Sequence, residues 1–260
     1  MIKRPVNFVL SAIAALGFIL PAVALAADAP PPLADILYVT PKDGHGEELR
    51  KAIGEHMAFR SKHGDPRAWE VYTPMLGDDL GRFAIRFCCF NWADQDSYRA
   101  WQSGATEINE HFKKHVMPHT EKAAHYFESI DWGNSHWVDA ADSYKFIAVT
   151  EFNIKPGSGQ DFDAARDKMS QVALNQGWAT DDHPWLWAST IGGKLQESVI
   201  IPHENLASFD RGKEDFMSFL SRHMGSAAAA ELGKQFSGAS SSTEFQIWEH
   251  QEDLSMSKGD

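Results

Sequence analysis

The chain has 260 residues, 43% of them hydrophobic, and carries 24 basic against 36 acidic side chains for a formal net charge of −12. That is enough apolar material for a packed core, and an acidic chain without a basic cluster excludes nucleic acid and anionic membrane surfaces as partners. The only two cysteines, Cys88 and Cys89, are adjacent, so no disulfide framework holds the fold.

Residues 1–26 read as an export signal. Lys3 and Arg4 supply the positive start, 6–20 is largely apolar, and Ala24 and Ala26 give the small-x-small pattern of a cleavage site. The apolar run falls short of the roughly 20 residues that span a bilayer. Cleavage should leave Ala27 first and place the protein in the periplasm or outside the cell, with 27–33 as a short Ala- and Pro-rich tether.

The first structured unit covers 34–132. A strand is predicted over 36–40 and a helix over 46–62, where Leu49, Ala52, Ile53, His56 and Met57 fall on one stripe at helical spacing. Strands follow at 68–74 and 82–91, the second rich in Phe and Ile. Within it Cys88 and Cys89, as strand neighbours, should point to opposite faces and remain buried thiols. Asp94 stands where an N-cap would, before one long helix carrying Tyr98, Trp101, Ile108, Phe112 and His115, and Pro118 ends it. A strand at 125–131 closes the unit, and the polar, aperiodic stretch 133–143 reads as a linker.

The second unit, 144–250, repeats this order: a strand at 146–152, a helix at 160–175, strands at 185–191 and 195–201, a helix from about Asn205, a loop at 238–242 and a strand at 244–249. The polar tail 251–260 should be disordered. The duplication shows in the letters. I-L-Y-V-T from Ile36 followed by G-H-G at Gly44 is echoed by F-I-A-V-T from Phe146 followed by G-S-G at Gly157, which sets Val39 against Val149. F-K-K-H ending at His115 is likewise matched with L-S-R-H ending at His223.

Two β-α-β-β-α-β runs define an α+β fold of two tandem ferredoxin-like units. Each sheet bears helices on one face only, so the two should pack sheet to sheet as an intrachain α+β barrel. This organisation, together with the strand-to-helix turn K-P-G-S-G-Q-D-F from Lys155, resembles the dimeric α+β barrel superfamily over nearly all of 33–250. Its members include antibiotic-biosynthesis-type monooxygenases, small haem-degrading oxygenases, chlorite dismutases, dye-decolourising peroxidases and non-catalytic stress proteins. The G-x-x-D-G segment of the dye-decolourising peroxidases is missing.

Histidine is abundant, with twelve in the chain. His111 and His115 lie one helical turn apart and can converge on one face, a geometry that suits a metal or simply a helix C-terminus. The resemblance implies haem as a cofactor, with His115, His223 and His111 as candidate ligands, because haem-using members ligate iron through a helix His. His56, on an apolar stripe, is a core His or a proton-transfer group facing a cavity. Arg86, in an apolar strand, needs a carboxylate or solvent, and Glu70 on the neighbouring strand, beside Tyr72, is the candidate partner. His56, Arg86 and Tyr72 are therefore the candidate catalytic residues, and no metal-binding set is recognised. Nine Trp, several near strands, fill the core or line an aromatic cavity.

No catalytic constellation stands out, which favours an exported protein binding a small apolar or aromatic molecule in an aromatic-lined cavity. The alternative is a haem-dependent or cofactor-independent oxygenase- or peroxidase-like enzyme acting on an aromatic or haem-type substrate. Exposed sheet edges would permit a homo-oligomer.

Overall fold

The computed structural model describes residues 30–138, 144–210 and 214–256. The expected signal segment and its cleavage point lie outside the described residues. No helix among those described is long and apolar enough to cross a membrane.

Eight strands close into one antiparallel barrel in the order β1-β3-β2-β8-β5-β7-β6-β4. The first half supplies β1 (Leu33–Pro41), β2 (Glu70–Leu76), β3 (Phe83–Phe90) and β4 (Thr120–Ile130). The second supplies β5 (Phe146–Ile154), β6 (Leu186–Ile191), β7 (Gln196–His203) and β8 (Ser240–His250). Two seams join the halves: β2 with β8, where Tyr72 faces His250, and β4 with β6, where Phe127 faces Ile191. The sheets thus meet edge to edge by backbone hydrogen bonds, which leaves no sheet edge unpaired.

Helices cover the outside. α1 (Gly46–Lys62) matches its predicted bounds, and Leu49, Ala52, Ile53, His56 and Met57 are its buried face. They pack on Val39, Val71, Phe83 and Ile85, all from one side of the sheet. The opposite side of the same strands, with Ile36, Tyr38 and Ala84, faces the barrel lumen together with Trp248 and Val149.

The predicted long helix is broken. α2 (Trp92–Gly104) and α3 (Thr106–His111) are followed by a π turn over Phe112–Val116 and a 3-10 turn over Met117–His119. Asn91, not Asp94, is the N-cap; Asp94 is its capping-box partner and accepts from the Asn91 backbone N–H at 2.8 Å. In the second half α4 (Gly159–Asn175) is followed by a 3-10 turn at Leu206–Phe209, then α5 (Phe216–Met224) and α6 (Ser226–Gly238). The loop expected at 238–242 is absent: α6 runs to Gly238 and β8 begins at Ser240, where pairing with β5 holds the Ser run in a strand.

Two equivalences differ from those read in the letters. α1 and α4 are both 17 residues long and start at Gly46 and Gly159. The irregularities at Pro41 and Ile154 share that 113-residue spacing. Val39 therefore corresponds to Phe152, while Val149 corresponds to Ile36. Val39 packs under the helices and Val149 faces the lumen; an odd shift along a strand exchanges its faces. Likewise Ala105 and Gly225, and Thr120 and Ser240, are each 120 residues apart at matching breaks. The counterpart of His115 is Gln235, and that of His223 is Ser103.

Three further segments depart from expectation. Cys88 and Cys89 are joined as a disulfide. Leu33 pairs with Phe90 and Ala34 with Cys88, so Cys89 is the extra residue of a β-bulge, which releases the pair from strict alternation. Both sulfurs' residues pack on Ala34, Ile130, Leu186 and Ile200 at one end of the lumen. Residues 133–138 of the linker are built in: the Asn134 carbonyl accepts from Trp185 Nε1 at 2.7 Å, and Asp131 just before it pairs with Arg166 at 3.2 Å. Residues 251–256 of the tail fold back on the first half, where Leu254 and Met256 are buried and the Met256 N–H donates to the Trp69 carbonyl.

Candidate functional site

Between α1, α2 and the outer face of the first-half sheet lies a cavity of about 230 Å³. Its walls combine Leu37, Met57, Trp69, Ile85 and Phe112 with His56, Arg60, Tyr98, Asp35 and His125. β1 supplies Asp35 and Leu37, β4 supplies His125, and α1 presents His56 and Arg60 one turn apart.

Two polar webs hold these groups. Asp65, within the α1–β2 connection and with its side chain buried, accepts from Arg60 Nε at 2.7 Å, Trp69 Nε1 at 3.1 Å and Tyr98 Oη at 3.3 Å. Burial raises the Tyr98 hydroxyl pKa to about 12, with Asp65 adding to the effect and Arg60 opposing it, so the phenol stays protonated as a donor. In the second web Asp35, 3% exposed, accepts from Arg67 Nη1 at 2.9 Å and lies 2.6 Å from His125 Nε2. Arg67 Nη2 donates to Gln95 at 2.6 Å, and its guanidinium stacks 3.8 Å above the Tyr98 ring. A buried carboxylate shared by an arginine and a histidine is the arrangement that tolerates desolvation.

The two lining histidines are opposite in character. His56 is 1% exposed, and burial, reinforced by Arg60 and His111, drives its pKa down to about 3. Arg60 Nη1 approaches Nε2 at 3.5 Å and, being a permanent donor, makes Nε2 the acceptor. The proton then sits on Nδ1, 3.2 Å from His111 Nδ1. His125 stands at the edge of the cavity, its side chain 55% exposed. Its hydrogen bond to Asp35 raises its pKa despite the burial of part of the ring. The dyad is a basic imidazole oriented by a buried carboxylate, able to take a proton from a bound acid.

The sequence candidates are not gathered in one place. His56 lines this cavity, but Arg86 and Tyr72 lie on the other side of the sheet: Arg86 sits opposite lumen-facing Ile36, and Tyr72 packs with the lumen cluster. Glu70 and Arg86 are direct cross-strand partners, as their spacing suggested, and Tyr72 Oη donates to Glu70 at 3.1 Å. His111 stacks between Phe59 at 4.2 Å and His115 at 4.4 Å, while exposed His223 packs on Phe219 and meets Arg222. None of these three lines the cavity. Sequence reasoning missed Asp35, although an acid inside L-A-D-I-L is the same signal that drew attention to Arg86.

The second half closes the equivalent space. At the positions of His56 and Arg60, α4 has Met169 and Ala173, and Phe152, Phe162, Trp187 and Phe236 pack together beneath them. The aromatic rings that the sequence could assign to a cavity are here core.

No protein-family model matches the chain, and no curated protein does. Solved structures do. A monooxygenase-like protein from Fusobacterium nucleatum superposes with a TM-score of 0.53 at 9% identity, covering 88% of this chain and 96% of its own. One from Lactobacillus acidophilus gives 0.50 at 12%, covering 88% and 97%. A chlorite dismutase from Candidatus Nitrospira defluvii gives 0.48 at 9%, covering 85% and 92%. The chain shares with the first two a mixed α/β fold, here built on a closed eight-stranded antiparallel barrel. At these identities the likeness is one of fold.

A haem does not fit this cavity. The candidate ligands His111, His115 and His223 lie off the cavity, and both ring nitrogens of His56 are engaged. The volume also falls below the roughly 300–1,000 Å³ of ordinary small-molecule sites. Among the described residues no group of three His, Cys, Asp or Glu is placed to hold a metal ion.

Proposed function

We propose that this is an exported, cofactor-independent oxygenase-like enzyme that oxidises a small phenolic aromatic in the cavity between α1, α2 and the first-half sheet. The observation that carries the reading is the Asp35–His125 dyad at the edge of a pocket that combines apolar and polar walls. A cavity of about 150 Å³ accepts benzene, so 230 Å³ suits one ring or two fused rings. Trp69, Met57 and Phe112 would bury the ring, with its oxygen turned toward His125.

His125 Nδ1 takes the phenol proton, because Nε2 donates to Asp35, and Asp35 stabilises the imidazolium. The phenolate is then the reductant for O₂: a C–O bond forms at the ring carbon para to the oxygen, the O–O bond breaks, and that carbon loses its hydrogen. One oxygen atom becomes the second quinone carbonyl and the other leaves as water, so the substrate supplies all four electrons. For 1-naphthol the balance is naphthol plus O₂ to 1,4-naphthoquinone plus water.

The test is oxygen uptake and quinone absorbance with 1-naphthol, without added haem, for the parent and for His125→Ala. One O₂ consumed per quinone, with at least a hundredfold loss in His125→Ala, supports the enzyme; proton transfer to a positioned base is worth roughly 10²–10⁴-fold. Stoichiometric binding without oxygen uptake would leave a carrier.

The same reading takes the two halves as duplicated ferredoxin-like units, supported by their shared strand order, β4-β1-β3-β2 and β8-β5-β7-β6. It takes Ala27 as the mature N-terminus, which sequencing protein recovered from the cell envelope checks.

A further inference from the structure

The barrel lumen holds a second cavity, of about 430 Å³, that the oxygenase reading does not use. The sheet separates it from the His56 pocket. One end of the lumen is packed by the Cys88–Cys89 bulge with Ile130, Leu186 and Ile200. The cavity lies toward the other end, where the β2–β3 and β6–β7 turns contribute Asp79 and Lys194.

Its inner wall is acidic and aromatic. Glu128 is 8% exposed, lines the cavity, and its Oε2 has no hydrogen-bond partner. A buried acceptor left unmatched costs on the order of 1–3 kcal/mol. Glu151 lines the same space and faces Glu244 directly across the β5–β8 pair, a like-charge apposition that is unfavourable alone. Burial raises the pKa of both Glu128 and Glu151, and each is raised further by a neighbouring glutamate. The rings of Tyr38 and Tyr126, 6.2 Å apart, form an adjoining wall. Two lumen cations oppose that rise: Arg86 acts on Glu128, and Arg82, which donates to Gln246 at 3.0 Å, stacks on Tyr38 and Trp248 and keeps a buried Nε without a hydrogen-bond partner, acts on Glu151. Asp79, Glu121, Lys122 and Lys194 are exposed at the rim, where water screens them.

We propose that the lumen is a binding site for a small aromatic primary amine, its ammonium donating to Glu128 and Glu151 and its ring lying against Tyr38 and Tyr126. An ammonium offers three donors in a compact charge, which matches an unpartnered carboxylate oxygen beside a second carboxyl group. Binding adds to the counter-charge of Arg82 and Arg86 and so favours the ionised form of both glutamates.

Isothermal titration of the whole protein with 2-phenylethylamine, which has no phenol for the helix–sheet pocket, tests it, with 3-phenylpropionate as the anionic analogue. One amine per chain, at least tenfold weaker in Glu128→Gln and in Glu151→Gln, with the analogue at least tenfold weaker than the amine, is the expected result. Both variants remove a buried charge and should melt no lower than the parent; if one fails to fold, the other carries the test. No amine binding, equal affinity for the analogue, or unchanged affinity in the folded variants overturns the site. His125→Ala separates the cavities: it leaves the amine affinity unchanged if the amine sits in the lumen. Loss there, with Glu128→Gln normal, moves the amine to the helix–sheet pocket and refutes the proposal.

Discussion

Asp35 Oδ1 and His125 Nε2 are 2.6 Å apart across the β1–β4 pair, on a diagonal rather than in direct register, since Asp35 lies opposite Phe127 and His125 opposite Leu37. The diagonal reaches because both side chains emerge on the outer face of the sheet. The far oxygen of Asp35 remains for Arg67. One buried carboxylate thereby ties the edge of the cavity to its inner wall.

That pair makes stability depend on pH in a defined direction. Asp35 raises the His125 pKa above its unfolded value of about 6.5, so the folded state binds the proton more tightly. The contribution is fully present below about pH 6.5 and is lost as pH rises through the folded pKa. Urea midpoints of the parent and of His125→Ala should diverge most at pH 5 to 6 and converge on the alkaline side. A constant difference across that range would mean the dyad is uncharged.

His56 has the opposite sign. Its folded pKa of about 3 lies below the unfolded value, so stability is present above about pH 6.5 and is lost as pH falls toward 3. At pH 5 the unfolded chain gains about 2 kcal/mol relative to pH 6.5 from this residue. His56→Met, the side chain α4 carries at the equivalent position, should flatten that slope even if it lowers stability at pH 7. The measurement is the difference in unfolding free energy between pH 6.5 and pH 5; an unchanged slope would show that His56 is not buried neutral.

Leu254 tests the folded-back tail. It is 5% exposed and its Cδ2 lies 3.0 Å from where a Cβ on Gly54 would stand. Leu254→Ala should cost about 2–5 kcal/mol, the range for a buried leucine truncated to alanine. Chemical denaturation reads it directly. A loss below about 0.5 kcal/mol would mean that the tail contributes nothing to the core.

Local physics was readable in the letters, and it governed what could be foreseen. The bounds and buried face of α1 follow from apolar spacing within one helix. The order of strands and helices follows from periods and turn residues. The likeness between the halves is visible because each has a glycine turn before its first helix. Contacts between distant segments carry no such local signal. Period-2 patterns look alike at several registers, which is why Val39 was matched with Val149 although the two face opposite sides of the sheet. The polar tail contains only two large apolar side chains, too few for a pattern, yet the barrel places both Leu254 and Met256 against α1. Neighbouring cysteines read as opposed until a bulge, set by pairing with β1, turned them together. The candidate site was half legible for the same reason. The type of each residue was in the sequence, but which face of a closed sheet it occupied was not. Closure of the barrel put Arg86 and Tyr72 in the lumen and His56 beneath the helices, and brought Asp35 to His125 across 90 residues of chain.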